Sequence, residues 1–242
     1  MKVLAIIPAY NEEGNIEELI SKLKEINVDV LVINDKSTDM TLKILEKMQV
    51  NYIDLPCNLG IGGAVQTGYA YAVKNRYDIA IQVDGDGQHN PMFIKNLINP
   101  IIQNEADMVI GSRYINKEGF QSTFMRRVGI KYFSSLIKLV TGKKITDPTS
   151  GFRACNLEVI NYFSVYYPVD YPEPESITAL LRKNYRLMEI PVTMMERKSG
   201  LSSINFVRSI YYMVKVTLAI LIETIRRNKN FNKREELQGV DV

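Results

Sequence analysis

Two aspartates one residue apart, Asp84 and Asp86, stand in the stretch IAIQVDGDGQH, directly after the apolar run Ile79–Val83. Like charges at the end of a buried strand sit in a region of reduced dielectric, which is costly unless a cation offsets them. An Asp-Gly turn is the plainer explanation for either residue alone. A metal accounts for both: hard carboxylate oxygens suit Mg2+ or Mn2+, ions that keep waters and take further ligands from a diphosphate. The pair is therefore expected to be ligands and not an acid and a base. A calcium loop does not fit, because His89 stands where that loop needs glycine and Lys95 where it needs a bidentate glutamate.

Other chemistry-bearing patterns are weaker. Gly60 and Gly62 begin a dinucleotide fingerprint whose third glycine position is Val65, and Gly63 and Gly68 have P-loop spacing with Tyr69 in place of the lysine. Two readings of this loop stay open, a phosphate cradle at a helix N-terminus and glycines that let a helix approach a sheet. His89 is the single histidine of the chain, with no triad-like companions, and is expected to be a hydrogen-bonding loop residue incidental to the chemistry. No Gly-x-Ser-x-Gly elbow occurs.

The elements that must position the aspartates follow from periodicity. Val3–Ile7, Val30–Ile33, Tyr52–Leu55, Ile79–Val83, Met108–Ile110 and Leu187–Thr193 read as strands. Asn15–Glu25, Thr41–Met48, Ile61–Asn75 and Pro91–Asn104 read as helices, with Asp39 as a cap for the second. This βαβ rhythm predicts an α/β fold with a mostly parallel sheet flanked by helices. In such sheets ligands bind outside the carboxyl ends of the strands, so PAYNEEGN, NDKSTDMT, CNLGIGG and DGDGQHNP are the loops of interest. After Gly111 come a basic amphipathic stretch, FMRRVGIKYFSSLIKLVTGKK, then DPTSGFR and YPVDYPEPES, and a helix from about Asn205 to Arg227 with a polar tail.

Bulk properties set limits. With 46% hydrophobic residues a chain of 242 fills one sizeable core. A net charge of +3 gives no reason to expect nucleic acid as a partner. Cys57 and Cys155 lie far apart outside any CxxC, which fits a reduced cytoplasmic setting and neither a disulfide scaffold nor a zinc site. No run approaches the roughly 18 apolar residues that a spanning helix needs.

Taken in order, PAYNEE, NDKSTDMT, NLGIGGAVQTGY, VDGDGQ, GSRY, DPTSGFR and ERKSGLSS resemble glycosyltransferase family 2, and within it the dolichol- and polyprenyl-phosphate sugar transferases. The resemblance covers about residues 3 to 205 and implies the GT-A nucleotide-diphospho-sugar transferase fold over residues 1–203, with residues 204–242 as an amphipathic helix and basic tail. It implies that Pro8, Ala9, Tyr10 and Glu12 surround the nucleotide base and ribose of a UDP- or GDP-sugar, that Asp35 contacts the base, and that Asp84, Asp86 and Gln88 hold Mg2+ or Mn2+. Arg113, Arg126 and Arg197 match positions that hold donor or acceptor phosphates, where the bidentate guanidinium fork is the chemical reason for arginine. Arg153 and Asp147 are expected to order the DPTSGFR loop.

The implied reaction is inverting displacement at the anomeric carbon of the sugar. A polyprenyl (undecaprenyl or dolichyl) phosphate acceptor is already ionised, whereas a hydroxyl on a cell-wall or capsular glycan intermediate needs a base. Glu173 and Glu175 in YPEPES are the candidates, Glu175 the weaker, and both also suit a first helical turn. The helix IYYMVKVTLAILIETIRR is broken by Lys215 and Glu223, so it is expected to lie on a membrane surface or pack on protein. Basic residues at 126, 127, 131, 138, 143 and 144 and five more between Arg226 and Arg234 favour an anionic inner leaflet. Peripheral attachment from the cytoplasmic side, with a small membrane partner or a homo-oligomer, completes the expectation.

Overall fold

The computed structural model describes residues 1–119, 124–195 and 206–225. The first half alternates as expected: β1 (Val3–Ala9), α1 (Ile16–Glu25), β2 (Asp29–Asn34), α2 (Thr41–Met48), β3 (Asn51–Asp54), α3 (Gly60–Lys74) and β4 (Ile79–Gln82), with these four strands in parallel. A 3-10 turn at Pro91–Phe93 precedes α4 (Ile94–Ile102), where one helix from Pro91 to Asn104 is read from the sequence. There follow β5 (Met108–Ser112), α5 (Phe124–Thr141), β6 (Arg153–Asn156), α6 (Leu157–Val165), α7 (Pro172–Arg182), β7 (Leu187–Pro191) and α8 (Phe206–Ile225).

The seven strands pair in the order β3-β2-β1-β4-β6-β5-β7. Alternate side chains fill two cores. Leu4, Ile6, Leu31 and Ile33 face the layer of α3, α5, α6, α7 and α8, while Ala5, Ile7, Val30 and Val32 face α1, α2 and α4. On α1, Ile16, Leu19, Ile20 and Leu23 recur at helical spacing and are all buried, each contributing about 1.5–3 kcal/mol by leaving water.

β6 and α6 are absent from the sequence reading. β6 is a four-residue strand, Arg-Ala-Cys-Asn, running antiparallel between β4 and β5. Its residues have little strand propensity, and pairing on both edges imposes the conformation. Because β6 runs antiparallel, its N-terminal end lies beside the carboxyl end of β4, which carries the DPTSGFR loop to the aspartates. α8 packs on α7 and α5 and buries Val216 and Ile220 in the same core. Among the described residues no helix is long and apolar enough to cross a membrane.

Candidate active site

The carboxyl ends of β2, β1 and β4 bring three loops into contact at the point where chain order reverses across the sheet. Ala9 O accepts from Asp35 N at 2.9 Å and Pro8 O from Gly85 N at 3.3 Å. A Cβ on Gly85 would stand 2.9 Å from Pro8 O, so glycine is what lets the two loops touch. Tyr10 is half exposed at this rim, and Glu12 accepts from Asn15 Nδ2 at 2.8 Å. Asp35 is buried, and its Oδ1 accepts from Leu59 N at 2.7 Å, so it also orders the glycine-rich loop. Asp39 Oδ1 accepts from Thr41 N at 2.9 Å, so it serves the first turn of α2 from one residue before the N-cap, which is Met40 and not Asp39 as expected. Pro8, Ala9 and Glu12 thus lie against Gly85, between the two aspartates, with Asp35 bonded to Ala9 and Tyr10 next in the same loop.

Asp84 is held from several directions. Gln82 Nε2 donates to Asp84 Oδ1 at 3.1 Å, and Asp84 N donates to His89 Nδ1 at 3.0 Å. That bond leaves the imidazole proton on Nε2, which stands 3.6 Å from Asp84 Oδ2. His89 is 2% exposed and stacks on Phe152 with ring centroids 4.7 Å apart. It is a loop hydrogen-bonder as expected, but not an incidental one, since its partner is Asp84. On the remaining side a Cβ at Gly151 would fall 2.7 Å from Asp84 Oδ2 and 2.9 Å from Oδ1. Asp86 Oδ1 accepts from Gln88 N at 3.0 Å, and Gln88 Nε2 donates to Met195 O at 3.4 Å, leaving the amide oxygen of Gln88 as its donor atom for a cation. Two carboxylates and an amide oxygen are a hard donor set that fits Mg2+ or Mn2+ and falls short of a complete shell. Among the described residues no group of three or more His, Cys, Asp or Glu forms a metal cluster, so the remaining ligands would come from substrate and water.

The glycines after β3 serve close packing. A Cβ on Gly62 would meet Pro168 O at 2.1 Å, and one on Gly68 would meet Ile6 Cγ2 at 2.2 Å. The geometry supports the reading of glycines that let a helix approach the sheet.

The arginines divide. Arg113 is buried, and its fork is taken by Asp147: Nε donates to Oδ2 at 2.6 Å and Nη2 to Oδ1 at 2.7 Å, with Thr149 Oγ1 at 2.9 Å from Nη2. Burial opposes the guanidinium charge, and the bonds to Asp147 more than restore it, placing its pKa above the ordinary value. The sequence reading assigns this fork to phosphate; the structure shows it clasping the DPTSGFR loop. Asp147 therefore orders that loop as expected, and its own backbone N–H donates to Glu189 Oε1 at 2.8 Å. Arg153 is fully buried: Nε donates to Ser150 O at 2.7 Å and Nη1 to Ser176 Oγ at 2.8 Å, while Nη2 has no hydrogen-bond partner among the described residues. Arg126 is exposed in the first turn of α5, and Arg197 lies outside the described residues, as does all of ERKSGLSS.

α7 begins with Pro172, which needs no N–H there, and carries Glu173 and Glu175 at its positive end. Ser176, bonded to Arg153, shares a helix face with Glu173 three residues before it. Glu175 is turned about 200° from Glu173, so the two glutamates lie on different faces of α7. Burial pushes the Glu173 carboxyl above its usual range, the pull of Arg153 opposes this, the charge of Asp84 raises it further, and Arg126 again lowers it. The structure thus groups Glu173, Asp84, Arg153 and Arg126 in one electrostatic neighbourhood. Sequence reasoning passes over Gln82 and Tyr167. The signal for Gln82 was a single amide inside an apolar strand; Tyr167 gave none.

Comparison with known proteins agrees with this geometry. The sequence profile of glycosyl transferase family 2 matches residues 4–163. A UDP-N-acetylglucosamine–dolichyl-phosphate N-acetylglucosaminyltransferase of Methanococcus voltae is 31% identical over 78% of this chain and 84% of its own length. An undecaprenyl-phosphate mannosyltransferase of Micrococcus luteus is 30% identical over 85% of this chain and 88% of its own. In fold, the crystal structure of glucosyl-3-phosphoglycerate synthase from Mycobacterium tuberculosis with Mn2+, uridine diphosphate and phosphoglyceric acid superposes with a TM-score of 0.70, at 18% identity, over 92% of this chain and 78% of that one. With a profile match over most of the chain and relatives at this identity, the chain belongs to glycosyltransferase family 2 and is a glycosyltransferase of GT-A fold.

Proposed function

We propose that this glycosyltransferase moves a sugar from a UDP- or GDP-sugar onto a polyprenyl phosphate, with inversion at the anomeric carbon and with Mg2+ or Mn2+ at Asp84, Asp86 and Gln88. The observation that carries the reading is the meeting of the loops after β1, β2 and β4 at one sheet edge, beside an Asp84 whose carboxylate is bounded by Gln82, His89 and Gly151. When bound, the cation neutralises the diphosphate and stabilises it as a leaving group. The chain itself supplies Pro8, Ala9, Tyr10, Glu12 and Asp35 for the nucleoside. Arg126 and Arg197 serve the phosphates, and Arg113 acts through the loop it fixes. Relatives that use dolichyl or undecaprenyl phosphate support the acceptor class.

A second reading, transfer to a glycan hydroxyl with Glu173 as base, is favoured by the raised carboxyl of Glu173 near Asp84. One experiment separates the two. The chain and Mn2+ are incubated with a panel of nucleotide sugars, with and without a short prenyl phosphate, and the product is identified by mass. Glycosyl prenyl phosphate, lost in Asp86→Ala and kept in Glu173→Gln, supports the first reading. Loss of turnover in Glu173→Gln with donor binding intact supports the second.

A surface for the lipid is also part of the proposal. On α8, Tyr211, Val214, Leu218, Ile222 and Ile225 form an exposed apolar stripe, and on α5 Met125, Val128, Tyr132 and Leu139 form another beside Arg126, Arg127, Lys131 and Lys138. Tyr132 and Thr217 hydroxyls, 3.0 Å apart, tie the two helices together. This surface supports attachment to an anionic inner leaflet, which we propose is aided by a small membrane partner or a homo-oligomer. Binding to anionic but not neutral liposomes, weakened by Leu218→Glu with Ile222→Glu, tests it.

A further inference from the structure

A buried polar chain connects the segment ahead of α7 to the metal end of β4. Gln82, the last residue of β4, is fully buried and lies opposite Arg153 of β6. Its Nε2 donates to Asp84 Oδ1 at 3.1 Å, and its Oε1 accepts from Tyr167 OH at 3.3 Å. Tyr167 is 6% exposed, with its ring packed against Phe163 at 4.9 Å and Tyr69 at 5.5 Å between centroids. The phenol is thereby held in place, and burial keeps it protonated far above its ordinary range.

The amide has two orientations of nearly equal shape, but only one presents an N–H to the Asp84 carboxylate; the other sets two acceptors against each other. In the observed orientation Tyr167 OH satisfies the amide oxygen, which would otherwise be buried without a donor. Asp84 has reason to need such a holder. Its side chain is 34% exposed and a like charge follows two residues later, so an unheld carboxylate would turn away from Asp86 toward water. The fold instead holds the carboxylate with Gln82 on Oδ1 and His89 beside Oδ2, in a space at Gly151 that only a missing Cβ leaves open.

We propose that Gln82, fixed by Tyr167, is a positioning residue that presets the Asp84 carboxylate for a divalent cation and ties the YPVDYPEPES segment to the donor site. The inference rests on the reading of Asp84 as a metal ligand. Outer partners of metal ligands typically set metal affinity by about 10–100-fold. Mn2+ is titrated into the chain and followed by the electron paramagnetic resonance of the free ion, for parent, Asp84→Asn, Gln82→Met and Tyr167→Phe. Melting temperature and metal-free UDP binding are measured on each. Asp84→Asn is expected to lose the Mn2+ site, Gln82→Met to weaken it by about tenfold or more, and Tyr167→Phe by about threefold, with metal-free UDP binding unchanged. If Asp84→Asn binds Mn2+ like the parent, the metal reading fails and takes this inference with it. If Asp84→Asn loses Mn2+ but Gln82→Met and Tyr167→Phe keep parent affinity, only the positioning role is overturned. A loss of Mn2+ and metal-free UDP together in Gln82→Met, with Tyr167→Phe equal to the parent, also overturns it, as general damage to the site.

Discussion

Replacing Gly151 by alanine adds one methyl group beside Asp84 and Gln82 at the end of β4 and nothing elsewhere. Gly151 has no left-handed φ, so the backbone accepts alanine without strain and the effect comes from the Cβ alone. That atom would lie 2.7 Å from Asp84 Oδ2, 2.9 Å from Oδ1 and 2.9 Å from Gln82 Nε2. Ordinary contact distances require the carboxylate to retreat by roughly 0.5–0.8 Å. The retreat stretches the bond from Gln82, a loss of about 0.5–1.5 kcal/mol for a typical hydrogen bond. At about 2–4 °C per kcal/mol for a chain of this size, the melting temperature should fall by about 1–6 °C, leaving the protein folded. Function should suffer more, because misplacement by about 1 Å in a site costs on the order of a hundredfold. Donor turnover measured against Mn2+ concentration is therefore expected to drop roughly tenfold to a hundredfold, with a higher Mn2+ requirement. Turnover and Mn2+ dependence equal to the parent, in a variant that melts normally, would show that the Asp84 carboxylate does not work from this position.

Other perturbations test the surrounding scaffold. Asp147→Ala strips the buried Arg113 of its carboxylate and should destabilise by about 3–5 kcal/mol, a fall of about 6–20 °C by calorimetry, with Asp147→Asn milder. Glu173 has a carboxyl raised above its ordinary 4.5, so folding favours its protonated form; that contribution is full below 4.5 and is lost as pH rises toward the folded value. Glu173→Gln should flatten this decline in melting temperature above pH 4.5, and an unchanged slope would refute the burial of that carboxyl. Cys57 is exposed whereas burial pushes the Cys155 thiol up to about 12. A thiol reagent near neutral pH should therefore modify one of the two cysteines in the native chain and both after denaturation.

Local patterns carried the first half of the fold. Val3–Ile7 and Val30–Ile33 alternate between two cores, α1 and α2 have helical spacing, and the loops after β1, β2 and β4 meet as their strand order implies, because a parallel sheet gathers successive strand ends on one edge. Asp84 and Asp86 are legible for the same reason: a strand end with two adjacent like charges demands an explanation from local sequence alone. The outlying Glu175 can be set apart from Glu173 by helical geometry once the start of α7 is known.

What remained hidden depends on contacts between residues distant in the chain. β6 becomes a strand because β4 and β5 pair with it, about seventy and forty-five residues upstream, and no feature of Arg-Ala-Cys-Asn announces this. The partner of Arg113 is Asp147 because the antiparallel return of the chain folds DPTSGFR back across β5, and a guanidinium fork reads the same in sequence whether it meets a carboxylate or a phosphate. His89, Gln82, Tyr167 and Gly151 meet only around Asp84, and each looks ordinary in its own segment. The sequence by itself determined the parallel half of the sheet, the edge where its loops gather and the acidic pair at the end of β4, since these follow from short-range periodicity and charge. Tertiary structure alone decided which groups hold Asp84 in place, since hydrogen bonds and excluded volume act between side chains that only the folded chain brings within reach.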